Sequence, residues 1–188
     1  SVQPISEQEA DAATKRPSRI LVVDDNQSNR DLLKRRLERQ GHTVILAESG
    51  FVALSCVQQD PYDLILLDLL MPEISGLDVL VFLKADPNLR DIPVIMISAL
   101  NEIDSIVRCI EAGAEDYLTK PFDPVLLRAR VGSCLEKKHL RDREREALEA
   151  LRVEKERSEQ LLLNILPAPI VERLKGGETI IADHLTNV

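Results

Sequence analysis

Two aspartates, Asp24 and Asp25, stand side by side directly after the apolar run Ile20 to Val23. Like charges in contact repel, and partial burial makes ionising both costly, so an acidic doublet at the end of a buried strand calls for a positive partner, either a metal ion or a lysine. Further along the chain Asp68 follows "DLILL", Ser98 closes "PVIMIS" and Lys120 follows "EDYLT". Three clustered carboxylates make a hard, oxygen-rich site suited to Mg2+, which takes octahedral oxygen ligands and keeps several of its waters. With them stand a hydroxyl and an ammonium, so that three carboxylates, one hydroxyl and one ammonium would converge on one crevice. Asp68 is followed by "LLMPEISG", where Pro72 and Gly76 turn the chain away and leave the carboxylate exposed, as a nucleophile requires.

The elements that must position these groups are legible in the hydrophobic period. Apolar, β-branched-rich segments at about 19–23, 43–47, 62–67, 92–98 and 115–118 alternate with helix-length amphipathic segments at about 27–40, 50–59, 76–85 and 103–112. The near-continuous apolar strands "ILVV", "DLILL" and "PVIMI" imply a parallel sheet covered on both faces. Right-handed crossovers then give an α/β, doubly wound (βα)5 fold with a five-stranded parallel sheet. Ligands in such folds gather at the carboxyl ends of the strands, where Asp24, Asp25, Asp68, Ser98 and Lys120 all fall.

Composition excludes several classes. With 188 residues, 44% of them hydrophobic, the chain holds one core of ordinary domain size plus an appendage. A formal charge of -8 gives no cationic excess to neutralise phosphates or an acidic membrane, so no nucleic-acid partner is expected. The longest apolar runs are too short to span a membrane, and the polar stretch 1–17 lacks the apolar centre of a signal peptide, which points to the cytoplasm. Cys56, Cys109 and Cys134 are odd in number and far apart, reading as ordinary thiols; His42, His139 and His184 share no ligand spacing with them.

The segments "VVDDN", "LLDLLMPEISG", "ISA" and "AGAEDYLTKPF", in that order and spacing, resemble the flavodoxin-like receiver domain of two-component response regulators over residues 19–135. The resemblance implies phosphotransfer from a phosphohistidine, on a histidine kinase or histidine phosphotransfer protein, to an aspartate. Position by position, it makes Asp68 the phosphoacceptor and assigns Mg2+ to Asp24, Asp25 and Asp68 with the backbone carbonyl of Leu70. Lys120 would pair with the phosphoryl oxygens, Ser98 would hydrogen-bond to them, and Tyr117 would be an aromatic switch that turns inward when Ser98 moves. A cis Lys120–Pro121 bond would aim the lysine inward. Leu70 and Leu100, two residues beyond Asp68 and Ser98, cannot orient a water, which implies a slowly hydrolysed phosphoryl group. The chain itself would be a phosphoacceptor and not an enzyme. A haloacid-dehalogenase-type hydrolase would resemble DxD after the first strand, whereas here the aspartates are adjacent and the exposed nucleophile follows the third. The other alternative is a dimerisation or docking module that is never phosphorylated, and the presence of all five site residues weighs against it.

Beyond Lys120 the sequence changes character. Asp123–Pro124 is a cap followed by a first-turn proline, and no proline recurs before Pro167, so one helix of about 40 residues, roughly 60 Å long, can run out of the receiver. Leu140, Ala147, Leu151, Leu161 and Ile165 fall on a seven-residue repeat, which predicts a parallel homodimeric coiled coil over 136–166. Two registers share Leu151, Ser158 and Ile165, one using Leu161 and the other Leu162. The last segment, "LLLNILPAPIVERLKGGETIIADHLTNV", resembles the stretch that enters the catalytic domain of class III adenylate and guanylate cyclases. The predicted organisation is a flexible segment 1–18, a receiver 19–135, a coiled-coil helix 136–166 and a transducer segment 167–188 leading to a cyclase output domain.

Overall fold

The structure is a computed structural model that describes residues 17–99 and 103–165, with the side chains of 103 and 162–165 left aside. Strands and helices alternate: β1 (Arg19–Val23), α1 (Gln27–Glu38), β2 (Thr43–Ala47), α2 (Gly50–Gln59), β3 (Leu64–Asp68), α3 (Gly76–Ala85), β4 (Val94–Ser98), α4 (Ile103–Glu111), β5 (Asp116–Thr119) and α5 (Pro124–Ile165). The five strands are parallel in the order β2-β1-β3-β4-β5. This is the predicted doubly wound fold. Several boundaries shift by one or two residues from the hydrophobic reading; at the site, β3 starts at Leu64 and includes Asp68, because Asp68 pairs in register with Ile97 and the amide of Leu69 donates to the Ile97 carbonyl at 2.8 Å.

Burial on both faces explains why the strands show no polar alternation. Successive side chains of a strand point to opposite faces. Ile20, Val22, Leu64, Leu66, Ile95 and Ile97 meet Leu33 and Leu37 of α1 and Leu127 and Val131 of α5. Leu21, Val23, Ile65, Leu67, Val94 and Met96 meet Ala53 and Val57 of α2, Val79, Leu80 and Leu83 of α3, and Cys109 of α4. Local chemistry starts the helices: the side chains of Asn26, Ser49 and Ser75 accept from backbone amides of the first turns of α1, α2 and α3, and Ser75 with Asp78 forms a reciprocal capping box. The Asp123 carboxylate accepts from the amides of Val125 and Leu126, both at 2.8 Å, as the cap-then-proline pattern predicts.

The strand order reverses between β1 and β3, whose chains leave toward helices on opposite faces. The crevice opened at that reversal lies at the carboxyl ends of β1 and β3, directly after Val23 and at Asp68.

The chain divides into two compact units after Leu140. In the first, Cys134 and Leu135 of α5 are buried, and His139 Nε2 lies 3.4 Å from Ser18 Oγ. Ser18, placed in the flexible segment by the sequence reading, is buried, because it sits beside α5 and its carbonyl accepts from the amide of Thr43 at 2.9 Å. In the second unit α5 is exposed as far as Leu161, apart from the half-buried Asp142, and carries short-range pairs such as Lys155–Glu159 at 3.7 Å. Residues 1–16, Leu100 and the predicted transducer segment 167–188 lie outside the described residues. No helix of the described residues is long and apolar enough to cross a membrane.

The three thiols separate by burial. Cys109 and Cys134 are buried and Cys56 is half-buried. Burial raises both buried thiols, Cys134 to about 11, with the Asp116 and Glu115 charges adding to it. At pH 8 iodoacetamide is therefore expected to label Cys56 first, and Cys109 and Cys134 only once urea opens the fold; equal labelling of all three in native buffer would contradict this packing.

Candidate functional site

The five predicted site residues are carried to the crevice by the ends of four strands. Asp24 and Asp25 follow β1, Asp68 ends β3, Ser98 ends β4 and Lys120 follows β5. Asp24 is fully buried, Asp68 is 4% exposed and Asp25 is exposed to solvent. One carboxylate oxygen from each of the three lies within 4.8 Å of the others. Lys120 Nζ donates to Asp24 Oδ2 and to Asp68 Oδ2, both at 2.8 Å. The lysine is thus the positive partner that the acidic doublet requires. The Lys120–Pro121 bond is cis, as the resemblance implied. Asp68 departs from the sequence reading in one respect: its carboxylate is nearly buried instead of exposed, because the loop that was to turn away from it folds back as the start of α3.

Gly76 makes that return possible. It is the first residue of α3 and not a turn residue, and its amide donates to the Leu69 carbonyl at 2.9 Å. A Cβ at this position would overlap the Asp68 carbonyl oxygen and lie 3.0 Å from Leu69 Cα. Only a residue without a side chain lets the helix press against the strand end that presents Asp68.

Burial raises the Asp68 carboxyl above the ordinary range; Lys120 opposes this through its hydrogen bond and charge, and the Asp24 charge reinforces it. For Lys120, burial alone would lower the ammonium, but the bonds and charges of Asp24 and Asp68 outweigh it and raise the net value. Three clustered carboxylates set against one ammonium, which touches Asp24 and Asp68, leave two negative charges to be matched. A hydrated divalent cation fits that donor set, with the exposed Asp25 offering an entry. Mg2+ is therefore expected to raise the unfolding temperature, and Asp25→Ala to weaken the Mg2+ affinity read from that shift by at least about tenfold. An identical Mg2+ titration in the variant would remove Asp25 from the site.

Three residues near the site were not singled out from the sequence. Asn29 Nδ2 donates to both Asp24 oxygens, at 3.2 and 3.0 Å, and the amide of Asn26 donates to Asp24 Oδ1 at 2.8 Å. Arg30 Nη1 donates to the backbone carbonyls of Asp24 and Asp25 at 2.8 and 2.9 Å, pinning the acidic turn from behind. Asn26 carries a readable cap signal; Asn29 and Arg30 look like any polar first turn until the helix is set against the strand end. Ser98 is fully buried, and its carbonyl accepts from the Lys120 amide at 2.8 Å, which ties β4 to the lysine turn. Tyr117 is half-buried on β5 against the core beneath α2–α4. The Leu70 amide donates to Asp68 Oδ1 at 3.4 Å, a long bond, while its side chain is exposed.

A family model of the response regulator receiver domain matches residues 20–132. The response regulator PleD of Caulobacter vibrioides is 44% identical over 132 residues, covering 69% of this chain and 29% of PleD. RpaA of Synechocystis, described as a DNA-binding dual master transcriptional regulator, is 40% identical over 117 residues, covering 62% of this chain and 48% of RpaA. Among solved structures, the signal receiver domain of a signal transduction histidine kinase from Syntrophus aciditrophicus superposes with a TM-score of 0.60 at 36% identity, covering 64% of this chain and 91% of that one. The chain thus spans less than half the length of these two curated relatives. Receiver domains generally accept a phosphoryl group on an aspartate, bind Mg2+ at an acidic pocket and engage histidine kinases or phosphotransfer proteins. Since the match runs from β1 into α5 and takes in every strand end that builds the crevice, the chain belongs to the response regulator receiver domain family.

Proposed function

We propose that Asp68 is the phosphoacceptor and that the chain relays its phosphorylation through a dimeric helix to an output domain. The observation that carries the reading is the position of the Asp68 carboxylate, at the crevice, within 4.8 Å of two further aspartates and 2.8 Å from a lysine held in place by a second bond to Asp24. In the transfer, an Asp68 oxygen attacks the phosphorus of a partner's phosphohistidine; the O–P bond forms, the P–N bond breaks, and its electron pair returns to the imidazole. Asp24, Asp25 and Asp68, with the Leu70 carbonyl, would hold Mg2+, which when bound supplies positive charge for the phosphoryl oxygens. Lys120 supplies the other positive charge, by moving from the Asp68 oxygen it holds to an oxygen of the transferred group. Ser98 donates its hydroxyl to that group, and Tyr117 turns toward the space Ser98 leaves, altering the surface of α4, β5 and α5.

The relay runs through 136–166 as a parallel homodimer. Its support is an unpartnered row of leucines, with Leu140, Leu148, Leu151 and Leu161 more than half exposed on a helix otherwise rich in charge. Assignment of the output as a nucleotidyl cyclase draws on the sequence resemblance of the final segment alone. In Mg2+ with acetyl phosphate or a phosphorylated histidine kinase, the protein is expected to gain one phosphoryl mass, and beryllofluoride to shift its sedimentation as a dimer. A chain that takes up neither, yet dimerises, would favour the docking module instead.

A further inference from the structure

A cleft of about 520 Å3 lies between the last turn of α1 and the first turns of α5, lined by Arg36, Arg39, Gln40, Pro124, Val125 and Arg128. The chain carries 32 acidic against 24 basic side chains, and its cations commonly find a carboxylate: Arg19 with Asp60, Arg130 with Asp116, Lys137 with Glu115. Among the described residues no ion pair involves Arg36, Arg39 or Arg128. Three guanidiniums facing one concavity repel each other, and an excess of acids elsewhere makes their lack of partners notable. Asp123, beside the cleft in sequence, directs one carboxylate oxygen to the amides of Val125 and Leu126 as the cap of α5. Arg36 is fixed, its Nη1 donating to the Phe122 carbonyl at 2.8 Å, so part of the site is preorganised. Pro124 and the 67% exposed Val125 add an apolar wall to this charged surface.

We propose that this cleft binds a nucleoside polyphosphate, with the phosphates on Arg36, Arg39 and Arg128 and the nucleoside against Pro124 and Val125. A guanidinium offers paired donors that match phosphate oxygens bidentately, and three of them match the charge of a di- or triphosphate. The volume falls in the range of small-molecule sites, roughly 300–1,000 Å3. The crevice of acids described above cannot take this ligand without a metal, since its own charge is negative, so the two sites separate in metal-free buffer.

The test is calorimetric titration of the whole chain in EDTA at low salt, with ATP, GTP, inorganic pyrophosphate and citrate as probes. ATP and GTP are expected to bind with micromolar dissociation constants, and pyrophosphate and citrate at least about tenfold more weakly, the first lacking the nucleoside and the second the phosphates. Arg39→Gln with Arg128→Gln, which breaks no described bond and spares Arg36, is expected to weaken ATP binding by at least about tenfold, while Asp68→Asn leaves it unchanged. No heat from ATP or GTP up to about 1 mM, equal affinity for all four probes, or a double variant that binds like the parent would overturn the proposal.

Discussion

Asp68→Asn is expected to lose the ability to form an acyl phosphate, by on the order of a thousandfold or more, while remaining folded. An amide has no anionic oxygen to attack phosphorus, and no other acid of the crevice can replace the carboxylate: Asp24 is fully buried beneath bonds from Asn26, Asn29 and Lys120, and Asp25 lies exposed at the rim. Stability should move the other way. Burial raises the folded pKa of Asp68 above its unfolded value, so the unfolded chain ionises first; stability from this group declines as pH rises from about 4 through the folded value. Above its folded pKa the ionised Asp68 costs stability, and Asp68→Asn removes that cost, so the variant is expected to unfold at a higher temperature than the parent in Mg2+-free buffer at alkaline pH. Adding Mg2+ should close the gap, because the cation stabilises the parent more. Intact-mass measurement after acetyl phosphate, together with thermal unfolding with and without Mg2+, reads both effects. A phosphoryl mass retained by the variant would transfer the acceptor role to another acid.

Gly76→Ala is expected to be the most destabilising single-methyl substitution in the site, by about 3 kcal/mol or more in urea unfolding. The new Cβ would meet three backbone atoms, the carbonyl oxygen and carbon of Asp68 and Leu69 Cα, none of which can swing aside as a side chain would. Relief requires lifting α3 off β3, which breaks the Gly76–Leu69 bond and displaces the Asp68 carboxylate. Gly132 is the internal control. It lies within α5 with nothing within 4 Å of a built Cβ, so Gly132→Ala should stabilise by about 0.5–1 kcal/mol through helix propensity. A tolerated Gly76→Ala would mean that the α3–β3 approach is looser than the backbone distances describe.

Much of this molecule can be read along the chain. The alternation of strand and helix, the doubly wound sheet and the convergence of Asp24, Asp25, Asp68, Ser98 and Lys120 follow from hydrophobic period and from where polar residues interrupt it. These are local signals: a strand end is marked by the residues beside it, and parallel strands bring all their carboxyl ends to one edge. The motifs are dense enough that position-by-position resemblance adds roles to the same residues.

What the linear order cannot hold is the distance between residues far apart in it. "LLMPEISG" reads as a turn leading away from Asp68; the fold returns α3 onto the strand end, so Gly76 is a point of close approach and Asp68 is buried. The doublet called for a positive partner of either kind, and the tertiary structure places Lys120 against Asp24 and Asp68 while leaving Asp25 open to solvent. Asn29 and Arg30 acquire meaning only once α1 is set at its angle to β1, which aims their donors back at the acidic turn. Arg36 and Arg39 are separated from Arg128 by most of the receiver in sequence and meet it because both helices cover the same face of the sheet. Period and residue type thus determined which elements form and which polar groups reach the sheet edge, because those depend on neighbours a few residues away. Burial, pairing and close approach were decided by packing, because they depend on which distant surfaces the hydrophobic core draws together.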